Sequence, residues 1–379
     1  VSINVIDIDK YRRLFLVTDK CIYLNHASTG PLPITTVKAI EQLNRRCSEQ
    51  GNFDWEEEEK MSNDTRALSA KLVNATSEEI CFVQNTSQGI IYAIGSIFWE
   101  KGDNVILMKD AFPTNLYPFL YLLPEVEKRY VTSIELNNNP ECILQHIDNK
   151  TKAIALDWVN FLNGIKIDLA FIGKICQDKD IYFIVDGMQG LGAVKLDLNK
   201  IHVGFFSSAA PKWILGPHGI GILYINQQIL DKLKPFNLGW LSANWVNFYD
   251  IFTPKPLKTS AARFEAGTKN YLGIVGLQES LKIFEEIGTN HIESRIFEIT
   301  DYLLSKINRP RFETITPKQR EKRAGIVSFR RKDKDSMELF MKLKQNKIIC
   351  AFRENYIRIS PHFYNTISEL DRLIDIITD

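Results

Sequence analysis

A lysine set among small and apolar residues is the first position in this chain that could do chemistry. Lys212 stands in SSAAPKWILGPHGIG. A lysine withdrawn from water has a depressed pKa and becomes a nucleophilic amine able to form a Schiff base; an ordinary solvated lysine is the competing reading. Asp186 ends the apolar run IYFIV and precedes Gly187. A carboxylate there, with little water around it, needs a cationic partner, unless it only caps a loop. Gln189, three residues on, can donate and accept in the same loop. Thr86 and Ser87, in NTSQG, lie between the apolar segments EICFV and IIYAIGSIF. A helix beginning there offers free backbone amides, the positive end of its dipole and two hydroxyls to a phosphate, with simple capping by Thr86 or Ser87 as the alternative.

Other motifs carry less. The glycines of DGMQGLG run GxxGxG, not GxGxxG, and no strand, turn and helix unit places them under a pyrophosphate. The six histidines show no i, i+4 pair and no neighbouring Cys or carboxylate cluster, so no metal is expected. There is no GxSxG elbow and no phosphate loop ending in GK followed by Ser or Thr. An amine for an aldehyde, a carboxylate for a ring nitrogen and a phosphate seat at a helix N-terminus together describe one ligand, pyridoxal phosphate.

Those residues must be held by a scaffold, and the chain supplies one. EICFVQN, DNVILMKD, KAIALDWVN and IYFIVDG read as buried strands alternating with helical patterns, which argues for a mainly parallel sheet covered on both faces. GIGILYI reads as one more strand, antiparallel or at an edge. A proline-punctuated, aromatic stretch from Pro235 to Thr259 leads to a helix near Gly273 to Gly288, strands at GIVSFR and NYIRISP, and a last helix from Ser368. We expect a large domain over residues 21–259, a smaller α+β domain over 260–379, and residues 1–20 packed against the latter.

At 379 residues the chain is long enough for about two such domains at roughly 150 residues each. Forty-seven Lys and Arg against 46 Asp and Glu leave a net charge of +1, which provides no basic field for nucleic acid. With 45% hydrophobic and 25% charged residues, the composition is that of a soluble globular protein. The run from Ile80 to Trp99 carries five polar residues in its middle, so no membrane span is expected. The charged first dozen residues do not read as a secretory signal, and six scattered cysteines without CxxC spacing point to a reducing, cytoplasmic setting.

From YLNHASTGPLP to RISPHFYNT the chain resembles the class V aminotransferase and cysteine desulfurase family of fold-type I pyridoxal-phosphate enzymes. The intervals of 26 residues from Asp186 to Lys212 and 23 from Gln189 to Lys212 match the family's ring-nitrogen acid, ring-oxygen partner and Schiff-base lysine. The resemblance implies a seven-stranded, mainly parallel sheet in the large domain. It implies stacking of Phe112, from AFPTNLYPF, on the cofactor ring, and a bond from Asn160 to the ring hydroxyl. RFEAGTKN resembles the segment that crosses a dimer interface, so Thr268 would reach the phosphate of a neighbouring subunit's cofactor and the protein would be a homodimer. Arg358 is similar to the family's substrate-carboxylate arginine, with His26 and Ser28 expected along the substrate pocket.

Two departures stand out. Ala209 and Pro211 replace the Ser and the His or Tyr that members commonly carry three residues and one residue before the lysine, leaving Ser207 or Ser208, with Ser208 preferred, to supply the phosphate contact. RENYIR, where desulfurases of the family present a mobile-loop cysteine, has none, and Cys350 reads as a buried small hydrophobe. The expected activity on an α-amino acid is transamination first, then a β-lyase reaction of the C-S lyase or kynureninase-like kind. Epimerisation or a catalytically idle sensor follow, and a nicotinamide oxidoreductase rests only on the DGMQGLG glycines.

Overall fold

The computed structural model describes residues 6–51 and 54–378, so residues 1–5 of the expected N-terminal segment lie outside the described residues. Seven strands form the main sheet: β1 (Ile80–Val83), β2 (Asn104–Met108), β3 (Glu127–Val131), β4 (Thr151–Asp157), β5 (Tyr182–Asp186), β6 (Phe205–Ala209) and β7 (Gly221–Ile225). Their spatial order is β1-β7-β6-β5-β4-β2-β3. Only β7 runs against its neighbours. GIGILYI is therefore antiparallel as expected, but interior; the edges belong to β1 and β3.

Alternate side chains along the strands point to opposite faces and build two cores. Ile154, Leu156, Phe183, Val185 and Phe206 belong to one, and Ala153, Ala155, Ile184 and Phe205 to the other. The covering helices are α1 (Ile34–Gln50), α2 (Trp55–Val73), α3 (Thr86–Ser96), α4 (Leu169–Lys179) and α5 (Tyr271–Ile287). Helix α3 packs Ile90, Ala93 and Ile94 on the second face, while α1, α2, α4 and α5 contribute Leu43, Leu72, Ile172 and Leu281 to the first.

A separate core forms on an antiparallel sheet of β8 (Phe312–Thr314), β9 (Val327–Arg331), β10 (Ala351–Arg353) and β11 (Tyr356–Ile359), ordered β10-β11-β9-β8. Helices α6 (Thr289–Ile307), α7 (Ser336–Gln345) and α8 (Ile367–Thr378) cover it through Ile299, Leu303, Leu343 and Leu373. Because α5 buries its apolar stripe in the large core, the small core takes its first C-terminal residues from α6, well beyond residue 260. The N-terminal segment touches the C-terminal one: Arg12 pairs with Glu369 at 2.6 Å and Phe15 stacks on Tyr364 with ring centres 3.9 Å apart. Ile22–Tyr23 adds a short parallel pairing to Ile348–Ile349. Among the described residues, no helix is long and apolar enough to cross a membrane and no cluster of His, Cys, Asp and Glu could hold a metal ion.

Candidate active site

The carboxyl ends of β1, β2, β4, β5 and β6 lead into loops at one edge of the sheet, where an open α/β fold places its ligand. Parallel register sets Asp157, at the end of β4, opposite Asp186, at the end of β5. Asp186 is buried and accepts the Met188 amide at 2.8 Å. Burial raises its pKa to about 6 against the pull of that amide and of the Lys212 charge.

Lys212 follows β6 in a loop whose Pro211 carbonyl accepts the Gly30 amide at 2.8 Å. Burial lowers the Lys212 pKa to about 8; Asp186 opposes the drop and Arg358 adds to it. The side chain directs its Nζ toward the ring of Phe112, 5.5 Å from the centroid. The next residue, Trp213, is locked from two sides: its indole N–H donates to Gln189 Oε1 at 3.0 Å, and its carbonyl accepts from His362 Nε2 at 2.9 Å. Gln189 also donates from Nε2 to the Ala27 carbonyl at 3.0 Å. The glycines of DGMQGLG serve packing: a Cβ on Gly190 would lie 2.2 Å from the Trp158 ring, and Gly192 holds φ +95° against the Trp213 carbonyl.

Helix α3 begins at the end of β1. Asn85 caps it, accepting the Gln88 amide at 2.9 Å, which displaces the alternative in which Thr86 or Ser87 is the cap. Thr86 Oγ1 instead accepts the Ala209 amide at 3.1 Å, and Ser87 Oγ bonds Thr114 Oγ1 at 2.8 Å. The serine facing this helix is Ser207, whose Oγ donates to the Thr86 carbonyl at 3.1 Å. Alternation along β6 turns the expected Ser208 to the face away from α3, and Ser207 and Ser208 are both fully buried. Helix and strand meet so closely that a Cβ on Gly89 would stand 2.1 Å from Ser207 Oγ.

Arg358 reaches the same edge from β11. It is buried and donates to the Phe161 carbonyl at 2.6 Å and to Ser28 Oγ at 2.7 Å, while its Nε has no partner. Burial, with help from the Arg353 charge, lowers its pKa to about 10.

His26, Asn160 and Thr268 were also expected at the site. His26 does not wall a pocket: it is fully buried, bonded through Nδ1 to the Ser360 carbonyl at 2.9 Å and through Nε2 to Tyr364 Oη at 2.6 Å. Asn160 is a loop fastener, because both amide hydrogens go to Asp110 and its Oδ1 accepts the Leu162 and Asn163 amides. Thr268 lines a cavity of about 370 Å³ with Gln88 and Gly219, which Lys212, Asp186 and Phe112 do not line.

Sequence reasoning passed over Asp157 and Trp213 as site residues. Asp157 was findable, since KAIALD ends as IYFIVD does, in an acid closing an apolar strand.

The family model for aminotransferase class-V matches residues 22–373. A probable cysteine desulfurase of Borreliella burgdorferi is 29% identical over 381 residues, covering 93% of this chain and 90% of its own length. The uncharacterized aminotransferase YcbU of Bacillus subtilis is 26% identical, with 97% and 96% covered. Among solved structures, the cystine C-S lyase C-DES, in complex with its reaction product cysteine persulfide, shares the fold with a TM-score of 0.87 at 22% identity, over 96% of this chain and 99% of that one.

Proposed function

The chain belongs to the class V aminotransferase family and has its fold-type I architecture, and from that premise we propose that it is a pyridoxal-phosphate-dependent lyase that cleaves a carbon–sulfur bond of an amino acid without a cysteine of its own. The donor set fits the cofactor: an amine of lowered pKa, a buried carboxylate, an aromatic wall and the hydroxyl-bearing N-terminus of α3 share one sheet edge. Pyridoxal phosphate, when bound, supplies an electron sink for negative charge developing at a substrate's α-carbon.

The chain's residues do the rest. Lys212 would hold the cofactor's aldehyde, and its Nζ would take a substrate's α-proton. Asp186 keeps a pyridine nitrogen protonated. Gln189 offers the ring oxygen the second hydrogen of Nε2. Phe112 covers one ring face. Thr86 and Ser87 would line the phosphate seat at the N-terminus of α3, with Ser207 bracing that helix from β6. Arg358 binds the substrate carboxylate through its planar fork, with Ser28 steadying the guanidinium, and so decides which α-bond faces Lys212.

The absence of a thiol carries the choice of reaction. Glu354 and Asn355, at φ 47° and 66°, close β10 onto β11 in a tight two-residue turn, so the position of a cysteine-bearing loop is a hairpin without cysteine. Cys350 is buried, and burial pushes its thiol up to about 12. The named C-S lyase relative in fold supports the same reading. Transamination, first by sequence, stays as the second reading because YcbU bears that name. Incubation of the holoprotein with cystine, cysteine and a panel of other amino acids decides between them: pyruvate with sulfide or persulfide supports the lyase, and keto acid formed only with an amino acceptor refutes it.

We place the lyase in a homodimer. Val246, Tyr249 and Phe252 are 95%, 96% and 92% exposed in one aromatic arm, an apolar surface of the kind that marks an interface, and Thr268 would serve the partner's phosphate seat. Light scattering that finds only monomer at micromolar concentration would remove this part. Six unpaired cysteines support a reducing, cytoplasmic location.

A further inference from the structure

Asp157 is buried, yet nothing in the proposed chemistry uses it. Its Oδ2 accepts the backbone N–H of Phe112 at 2.8 Å and its Oδ1 accepts Asn115 Nδ2 at 3.2 Å. Phe112 precedes the single helical turn Pro113–Asn115 and Asn115 closes it, and the turn's first residue is a proline without an N–H of its own. The Phe112 side chain is 44% exposed and meets Phe161 only edge-on, with ring centres 5.5 Å apart. Packing alone therefore leaves the ring loosely fixed, and the backbone bond decides where it stands.

We propose that Asp157 is a positioning residue that fixes the Phe112 ring over Lys212 by tethering the turn that carries it. The proposal rests on the cofactor reading above only for its consequence, since the tether itself exists without a cofactor. Burial and the neighbouring Asp186 push the Asp157 carboxyl well above the ordinary range, against the two donors, so the uncharged isostere is a fair replacement. Asn115 Oδ1 has no partner; its amide can turn over to accept from an asparagine at 157.

The test is hydrogen exchange at the Phe112 amide in cofactor-free protein, together with visible circular dichroism of the bound cofactor. Asp157→Ala should speed exchange by about tenfold or more, as expected for losing a buried hydrogen bond, and change the dichroic band; Asp157→Asn should restore both. Should the alanine variant not fold, Asn115→Ala removes one of the two bonds and should give an intermediate exchange rate. Unchanged exchange in the Ala variants, an Asn variant as fast as Ala, or faster exchange with an unaltered band would each overturn the proposal. Wild-type protein that binds no cofactor would sink the functional reading instead, while the exchange data still decide the tether.

Discussion

Lys212 Nζ lies 5.5 Å from the centre of the Phe112 ring, so the reactive amine is walled by an aromatic face on one side and drawn by the Asp186 charge on another. Attack on an aldehyde needs the neutral amine. With burial setting the pKa to about 8, covalent attachment of pyridoxal phosphate to cofactor-free protein should reach half its maximal rate near pH 8 and fall about tenfold per unit below it, whereas a free lysine would titrate above 10. Lys212→Ala should leave no borohydride-fixable adduct. A wild-type midpoint above 10, or an adduct surviving in the variant, refutes the assignment.

Arg358 is held by a carbonyl on one side and a serine hydroxyl on the other, with Nε unpartnered. Its fork is thus set in place before any carboxylate arrives. Arg358→Ala should raise KM by roughly 30-fold or more, the effect of deleting one member of a buried hydrogen-bonded charge pair, while cofactor affinity changes little. Ser28→Ala should produce a smaller rise in the same direction. Steady-state kinetics with equal KM values for wild type and Arg358→Ala would remove this role.

The spacing of Asp186, Gln189 and Lys212 was readable because acid and lysine lie near the ends of adjacent parallel strands, and intervals between such ends are set by the fold. Five strands of the main sheet announced themselves by apolar runs. Strand β3, EKRYV, escaped because it is a charged edge strand, and β6, FFSSA, because its serines interrupt the pattern although every residue is buried. Which serine of β6 faces α3 depends on strand register, which a single sequence does not print. His26 and Asn160 show a related effect: a polar residue in a motif looks the same whether its partners are a ligand or its own fold, and only the structure shows that His26 bonds Ser360 and Tyr364 and that Asn160 bonds Asp110.

His362 and His26 form a buried pair with ring centres 5.1 Å apart. Burial lowers the His362 pKa to about 4, and burial with the His362 charge takes His26 well below its ordinary value. The folded state therefore binds no proton at His362 between pH 6.5 and 4, whereas the unfolded chain does, so this contribution to stability is intact above pH 6.5 and declines as pH falls to about 4. Linkage puts the loss at His362 on the order of 3 kcal/mol by pH 4. Denaturant melts across this window should show a slope smaller by about one proton in His362→Gln, whose amide can still donate to the Trp213 carbonyl. Equal slopes would mean that His362 is charged in the folded protein.

Cys350 offers the sharpest separation between two ways of breaking a carbon–sulfur bond. A desulfurase that passes sulfur to its own thiol needs that thiol mobile, exposed and ionisable, since the thiolate is the nucleophile. Cys350 is buried beside Ile348 and Ile359 in the small core, with its pKa pushed up to about 12, and its strand neighbours are held on β11 by the hairpin. Elimination would ask nothing of it: the α-proton would leave to Lys212 and the sulfur would depart with the bonding electrons. Cys350→Ala should therefore keep turnover within about twofold, because it touches none of the groups that bind or orient the substrate, and should lower stability by about 1 kcal/mol for the small cavity created. Sulfide or persulfide should still appear in solution in step with pyruvate, with no persulfide retained on the chain after rapid desalting and alkylation. A variant that folds as wild type but releases no sulfur, or a wild-type chain carrying one labelled sulfur per subunit, would return the protein to the thiol-dependent mechanism.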